Sequence, residues 1–372
     1  MADTELTYKI SIALTPGITS EVVERMEEYG VGLDEYFNLS MGELSERLGG
    51  GPGLRLDKMV REEALFRARR EEDFMKRHHI RGLFLTDEEY PPLLRELHNA
   101  PVMIFVLGDS NLNPEHALAL VGTRRCSGYG AGFVNKFVEE MALYFPELAI
   151  VSGLAYGIDA AAHTAALEHN LPTWGVLAHG LDMIYPAQHR DLAKRILDKG
   201  GALISEYPSG TTPYRNNFLQ RNRIVAGISE LTVVVESEIK GGAMSTASQA
   251  FNNNRNLMAV PGRVSDPLSA GCNHLIRKNK AQLLTCAADI VEMYGWAPVT
   301  LKRAPRQRNL FPELTGIPAD IYKTLGSAGS PMTTDAIRQS LNIGIKDLIA
   351  ALTEMEFDGI ISRLPGGRYE LG

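Results

Sequence analysis

The stretch VGTRRCSGYG, residues 121–130, follows the apolar run ALAL (117–120) and leads into a helical pattern. A glycine-rich turn between a strand and a helix offers backbone N–H groups and a helix N-terminus, both suited to phosphate. Two consecutive arginines, Arg124 and Arg125, are odd company for an ordinary nucleotide loop. The turn sets two questions: what sheet it belongs to, and what anion it meets.

Outward from the turn the pattern repeats. Apolar runs ALALVG, LAIVSG, TWGVLAHG, GALISEY, ELTVVVES, NLMAVPG and AQLLTC read as strands. Helical stretches over 129–144, 158–169, 187–199, 218–226 and 243–253 separate most of them. Near-continuous apolar strands alternating with helices predict a parallel α/β sheet covered on both faces, with ligands beyond the strands' carboxyl ends. Upstream, residues 1–75 read as short helices: SEVVERMEEYG, NLSMGELSERLG and a long charged one from about 56 to 78. Ser20 and Ser40 are the expected N-caps, and Gly30 and Gly49 the expected stops. Two short strands follow around a proline-broken turn (82–109). Downstream, APVTLKRAPRQRNLFPELTG reads as a linker, and three helices plus the hairpin signal ISRLPGGRYEL fit a winged helix. The expected domains are 1–78, 79–296 and 313–372, with a linker at 297–312.

Charge is unevenly spread. The chain of 372 residues has a net charge of −7, but residues 1–109 alone hold 13 basic against 21 acidic side chains. The middle, 110–296, balances 16 against 16, so arginines can gather in one cleft there. Three scattered cysteines, Cys126, Cys272 and Cys286, fit a reducing cytoplasm and make no metal spacing. No basic-then-apolar leader and no membrane-length apolar run is evident.

The loops after the strands carry Gly, Ser, Thr and basic residues, with Arg124, Arg221, Arg223, Lys240 and Arg263 expected along one rim. Dinucleotide binding is disfavoured. The glycine spacing around Gly122, Gly128 and Gly130 misses G-x-G-x-x-G, and the second strand ends in Val151-Ser152-Gly153 without the ribose-binding acid. No Walker lysine occurs. The rival is a phosphoribohydrolase-like nucleotide enzyme, whose glycine loop Lys240-Gly241-Gly242 faintly echoes but whose catalytic acid is missing. Asp159 and His163 could be an acid–base pair, but Asp159 is expected to cap the helix with His163 packed beside it. Asp182, Glu206 and Glu236 lie near strand ends without a paired nucleophile.

Together VGTRRCSGYG, VSGLAYGIDAAAHTAAL, GLDMIYP, ISEYPSGTTPYRNNFLQRNRIVAGIS, VVVESEIKGGAMSTASQA and AVPGRVSDPLSAGCNHLI resemble, in order, the DNA-processing protein A (DprA/Smf) family. The resemblance implies an extended Rossmann-like domain flanked by a SAM-like helical domain and a winged helix. It also implies a non-enzymatic, cytoplasmic homodimer without a cofactor. Such a protein binds and protects incoming single-stranded DNA and helps load the RecA recombinase during natural transformation. By that likeness Gly122, Thr123, Arg124 and Arg125 grip one phosphate, with Gly122 allowing close approach. Ser152 and Gly153 form a second cradle, Arg221, Asn222 and Arg223 a third, and Lys240, Gly241, Gly242 and Ser245 a fourth. Where relatives carry a basic residue after Tyr185-Pro186, this chain has Ala187, Gln188 and His189, so Arg190 is the partial substitute. Segments 256–261 and 275–284 are expected to supply an apolar dimer surface. The acidic N-terminal domain is not expected to touch DNA.

Overall fold

The computed structural model describes residues 4–49, 58–299, 314, 316–328, 331–357, 360–364 and 368–371. They form two compact units, divided at residues 301 and 302.

The first unit begins with helices α1 (Glu5–Leu14), α2 (Ser20–Glu28), α3 (Leu33–Asn38), α4 (Met41–Arg47) and α5 (Lys58–His78). Ser40 caps α4 through a capping box with Glu43, and Gly30 and Gly49 take the left-handed φ of +65° and +71° that stops a helix. Ser20 is not the cap of α2. Thr19 holds that position, while Ser20 sits inside the first turn and donates its hydroxyl to the His98 carbonyl. Helix α1 was not among the helices named from the sequence, although Leu6, Ile10, Ala13 and Leu14 recur at helical spacing. Its Thr4 cap and its packing along α5 decide its conformation.

The sheet follows: β1 (Ile80–Phe84), the short helix α6 (Pro92–Arg95) and β2 (Met103–Leu107), then β3 (Ala117–Val121), α7 (Gly128–Tyr144), β4 (Ala149–Ser152), α8 (Ile158–Glu168), β5 (Thr173–Leu177), α9 (Arg190–Asp198), β6 (Ala202–Ser205), α10 (Arg215–Gly227), β7 (Leu231–Val234), α11 (Ala243–Asn252), β8 (Asn256–Ala259), α12 (Ala270–Arg277), β9 (Gln282–Leu283) and α13 (Ala288–Tyr294). Strand order is β1-β2-β6-β5-β4-β3-β7-β8-β9, parallel from β6 to β9, with β1 and β2 antiparallel at one edge. Alternate residues feed opposite cores. Ala117, Ala119 and Val121 face α10 and α11, whereas Leu118 and Leu120 pack with Phe137 and Met141 of α7. The first of these cores runs without a break into Ile10, Ile12, Met26 and Tyr36 of the N-terminal helices. From β3 the chain progresses outward to β6 on one side and to β9 on the other. The gap between the β3 and β7 ends is thus the topological switch point.

The apolar residues of 256–261 and 275–284 mostly pack inside this unit rather than forming a partner surface. Leu257, Met258, Ala259, Val260, Leu275 and Leu284 are all buried, and Leu283 is the large apolar side chain there that stands exposed. The reason is register: β8 pairs on both sides, with β7 and β9, and both its faces are covered.

The second unit holds α14 (Ile317–Ala328), β10 (Met332–Thr333), α15 (Thr334–Leu341), α16 (Ile345–Phe357), β11 (Ile361–Leu364) and β12 (Arg368–Leu371). The hairpin is antiparallel, and β10 adds a third strand to it. Ile321, Leu325, Ile337, Leu348, Leu352 and Tyr369 form its own core, the winged-helix arrangement. Most of the expected linker, 300–312, lies outside the described residues.

Candidate nucleic-acid interface

At the switch point opens a cleft of about 920 Å³. The turn after β3 supplies Gly122, Thr123 and Arg124, and that after β4 supplies Gly153. Helix α10 adds Arg221 and Asn222, the loop after β7 adds Lys240, Gly241 and Gly242, and the first turn of α11 adds Ser245. Ten of the fourteen residues singled out in the sequence therefore line one space. Four do not. Arg125 and Arg190 are exposed outside the lining. Ser152 is fully buried, with its hydroxyl donated to the Leu120 carbonyl. Arg223 is buried against Glu206, with which it pairs. Two residues along a helix turn the side chain by about 200°, so Arg221 and Arg223 point opposite ways. Arg263, also placed on the rim by sequence, is exposed but outside the lining.

The opening turn is fixed by its neighbours. Thr123 donates its N–H to the Glu236 carbonyl (2.6 Å) and accepts from the Ile158 N–H (3.1 Å). Ser127 caps α7 by accepting from Gly130 N–H, and its own N–H and hydroxyl both bind the Glu236 carboxylate. That buried carboxylate sits against Gly130, where a Cβ would lie 2.5 Å from it. The α7 N-terminus, the diphosphate site of a dinucleotide fold, is thus filled by the chain's own acid. The turn leaves Arg124 exposed, with its guanidinium 5.6 Å from the centre of the Phe218 ring.

Behind it lie two buried groups of opposite charge, Arg221 and Asp159. Arg221 donates to the carbonyls of Gly153 (2.7 Å) and Val176, and its Nε has no partner. Asp159 accepts from the N–H groups of Gly153 and Ala155, so it braces the loop after β4 instead of capping its own helix; Gly157 holds the cap position. Burial pushes the Asp159 carboxyl up and the Arg221 guanidinium down, each opposed by the other's charge. His163 packs as expected. It is fully buried, with Nδ1 2.7 Å from the Thr173 hydroxyl, which itself donates to the Ile150 carbonyl. The Thr173 oxygen must therefore accept, and Nδ1 carries the proton. The remaining acids are also engaged: Glu206 pairs with Arg223, and Asp182 accepts from Gly210 N–H.

Burial drives His163 down to about 3 from an ordinary 6.5. Because the folded value is the lower one, the unfolded chain binds more protons between those pH values. Stability is complete above about 6.5 and should fall by about 1.4 kcal/mol per pH unit below it. Denaturant titrations from pH 7.5 to about 5 should show this slope, and His163→Leu should flatten it. Equal slopes in both proteins would refute the assignment.

Sequence reasoning missed Arg215, Phe218 and Tyr185, which also line the cleft. Tyr185 is half exposed, and its ring lies 5.8 Å from that of Phe218. The signal was present in PYRNNF, where an aromatic and a cation interleave just ahead of RNR. Arg124, Arg215 and Lys240 are exposed, and none forms an ion pair with a described residue. Among the described residues, no group of three or more His, Cys, Asp or Glu is placed to hold a metal, and no helix is long and apolar enough to cross a membrane.

Exposed cations beside the rings of Tyr185 and the half-buried Phe218, at the switch point of a doubly wound sheet, define an α/β protein with a cationic cleft. Known proteins narrow that class. Residues 81–295 match the family model of DNA recombination-mediator protein A, and 305–367 that of the DprA winged helix domain. Protein Smf of Escherichia coli is 34% identical over 79% of this chain and 78% of its own. The DNA processing protein DprA of Streptococcus pneumoniae is 33% identical over 76% and 96%. An X-ray structure of the pneumococcal protein superposes with a TM-score of 0.64, covering 79% of this chain and 99% of that one at 32% identity. A structure of DNA processing protein A from Helicobacter pylori, described for its single-stranded DNA binding mode, gives 0.52 at 28% identity, covering 58% and 95%. The chain belongs to the DprA/Smf family of DNA recombination mediators.

Proposed function

We propose that the cleft binds single-stranded DNA without sequence preference, as a cytoplasmic recombination mediator rather than an enzyme. The observation that carries this is the meeting of Arg124, Arg215 and Lys240 with the Tyr185 and Phe218 rings in one open groove. Cations track a phosphate backbone, and ring faces stack any base. The likeness to the Helicobacter pylori protein supports the same ligand. Family membership also supports the finer reading: a homodimer that protects the incoming strand and helps load RecA during transformation. Paired clefts would raise avidity on a strand long enough to reach both.

Arg124→Ala should weaken a labelled oligonucleotide by about 1–3 kcal/mol, roughly 5- to 150-fold in Kd, with unchanged folding. Arg124→Lys should recover only part, since an ammonium cannot fork onto two phosphate oxygens. Arg338→Ala, on α15, is the control and should bind like the parent. Fluorescence anisotropy decides it: full binding by Arg124→Ala together with loss in Arg338→Ala would move the DNA reader to the winged helix. The rival nucleotide enzyme would have to use Glu238, the exposed acid of the lining. Ribose release from AMP would establish it.

A further inference from the structure

A second hollow, of about 350 Å³, lies between α5 and the loop that follows β6. Its α5 wall carries Arg67, Arg70, Phe74 and Arg77, spaced three, four and three residues apart and so sharing one helix face. The three arginines are exposed, and none is in an ion pair with a described residue; Arg77 spends only its Nε, on the Asp73 carbonyl. The acids of this helix half mostly face inward. Glu71 is buried and accepts from the Ser209 N–H and hydroxyl, and Glu72 is buried under Thr4, Thr7 and Lys76. Asp73 alone of the three stands exposed, and with the Ser209-bound Glu71 it lines the hollow beside the three arginines. The negative balance of residues 1–109 therefore does not describe this surface.

The loop itself joins the two hollows. Pro208 and Ser209 line the α5 side, and Pro213 with Arg215 lines the cleft. From Ser209 to Pro213 the chain can span at most about 14 Å. Glu71 pins the α5 end of this loop, and Asp182 holds Gly210 within it.

We infer that a strand seated in the cleft runs on over this loop to α5, where Arg67, Arg70 and Arg77 take its next phosphates. Phe74, 4.4 Å from the His78 ring, offers a face to a base. An aromatic set among arginines, continuous with the cleft, favours a nucleic-acid strand over an acidic peptide. The inference rests on the single-strand reading of the cleft given above.

The experiment compares deoxythymidine oligomers of about 6 and about 24 nucleotides, lengths chosen around the footprint of one single-strand groove. The variants are the triple Arg67→Ala/Arg70→Ala/Arg77→Ala, its all-lysine counterpart, and Arg124→Ala. The triple alanine variant should bind the long strand about 10-fold more weakly, and its log Kd against log salt should be shallower by about two. Its affinity for the short strand should stay within about twofold of the parent, which also shows that the cleft is intact. The lysine counterpart should keep the parent's salt slope, because the phosphates still meet three cations. Arg124→Ala should weaken both lengths. Unchanged long-strand binding by the triple variant overturns the tract while the cleft reading stands. Equal loss for both lengths overturns it too, because the arginines would then act through the cleft's shape. A poly-glutamate peptide bound by the parent and lost in the triple variant, with DNA unaffected, would assign the face to an acidic protein. Failure of the parent to bind either strand sinks the function proposed above instead.

Discussion

Arg221→Ala should cost about 3–5 kcal/mol of folding stability, the range for leaving a buried charge uncompensated. It should also remove most oligonucleotide binding. The arginine is 4% exposed and satisfies two carbonyls, those of Gly153 and Val176, at the ends of neighbouring strands. Removing it leaves both carbonyls bare and Asp159 without the positive charge that offsets its burial. Arg221→Lys should rescue little, since one ammonium cannot reproduce the planar contact along Gly153. The pH dependence identifies the cause. A carboxyl whose folded pKa lies above its unfolded one is destabilising when charged, and the protein gains stability as pH falls through that folded value. Without Arg221 the Asp159 carboxyl rises further, so the variant should recover part of its loss as the pH is lowered. The acid loss from His163 runs the other way in both proteins and should be smaller in the variant, because the Arg221 charge is one of the causes that hold His163 down. Asp159→Asn in the Arg221→Ala background should relieve the deficit at neutral pH. Urea midpoints measure all of this, and a parent-like midpoint for Arg221→Ala would show that the arginine is not structural.

The architecture was legible because each parallel strand announces itself twice. ALALV is apolar at every position, as a strand covered on both faces must be, and it ends in a turn residue. The direction of side chains was not legible. RNRI reads as two equivalent arginines until the buried face of α10 is known, and that face is set by tertiary packing. Nor was the internal role of two glycines legible. A Cβ on Gly130, at the start of α7, or on Gly153, after β4, would strike Glu236 or Arg221. Those partners lie far off in sequence; the Ser127–Glu236 contact spans 109 residues. Likewise Tyr185 and Phe218 become neighbours only when the loop after β5 and the first turn of α10 converge on the cleft.

Gly122→Val should be as damaging as losing Arg221, through the fold itself. A Cβ there would lie 2.5 and 2.8 Å from Ile158 side-chain atoms and 3.0 Å from the Glu236 carbonyl oxygen. Neither neighbour is a flexible tip. Ile158 is fully buried at the start of α8, and the Glu236 carbonyl already accepts from Thr123 N–H. An added methyl must therefore push β3 away from α8 and β7, breaking the two hydrogen bonds that hold the turn. Overpacking of this kind costs about 1–3 kcal/mol for the smallest insertion, so Gly122→Ala should fall in that range and Gly122→Val at or beyond its upper end. If the glycine served only to let a phosphate come close, Gly122→Ala would instead keep the parent's melting temperature and lose DNA. Gly132, in α7, has open space where its Cβ would go, so Gly132→Ala should be neutral or stabilise by up to about 1 kcal/mol. Melting curves for these variants, read beside their oligonucleotide affinities, separate the two roles. A Gly122→Ala protein that melts like the parent would return the glycine to the ligand.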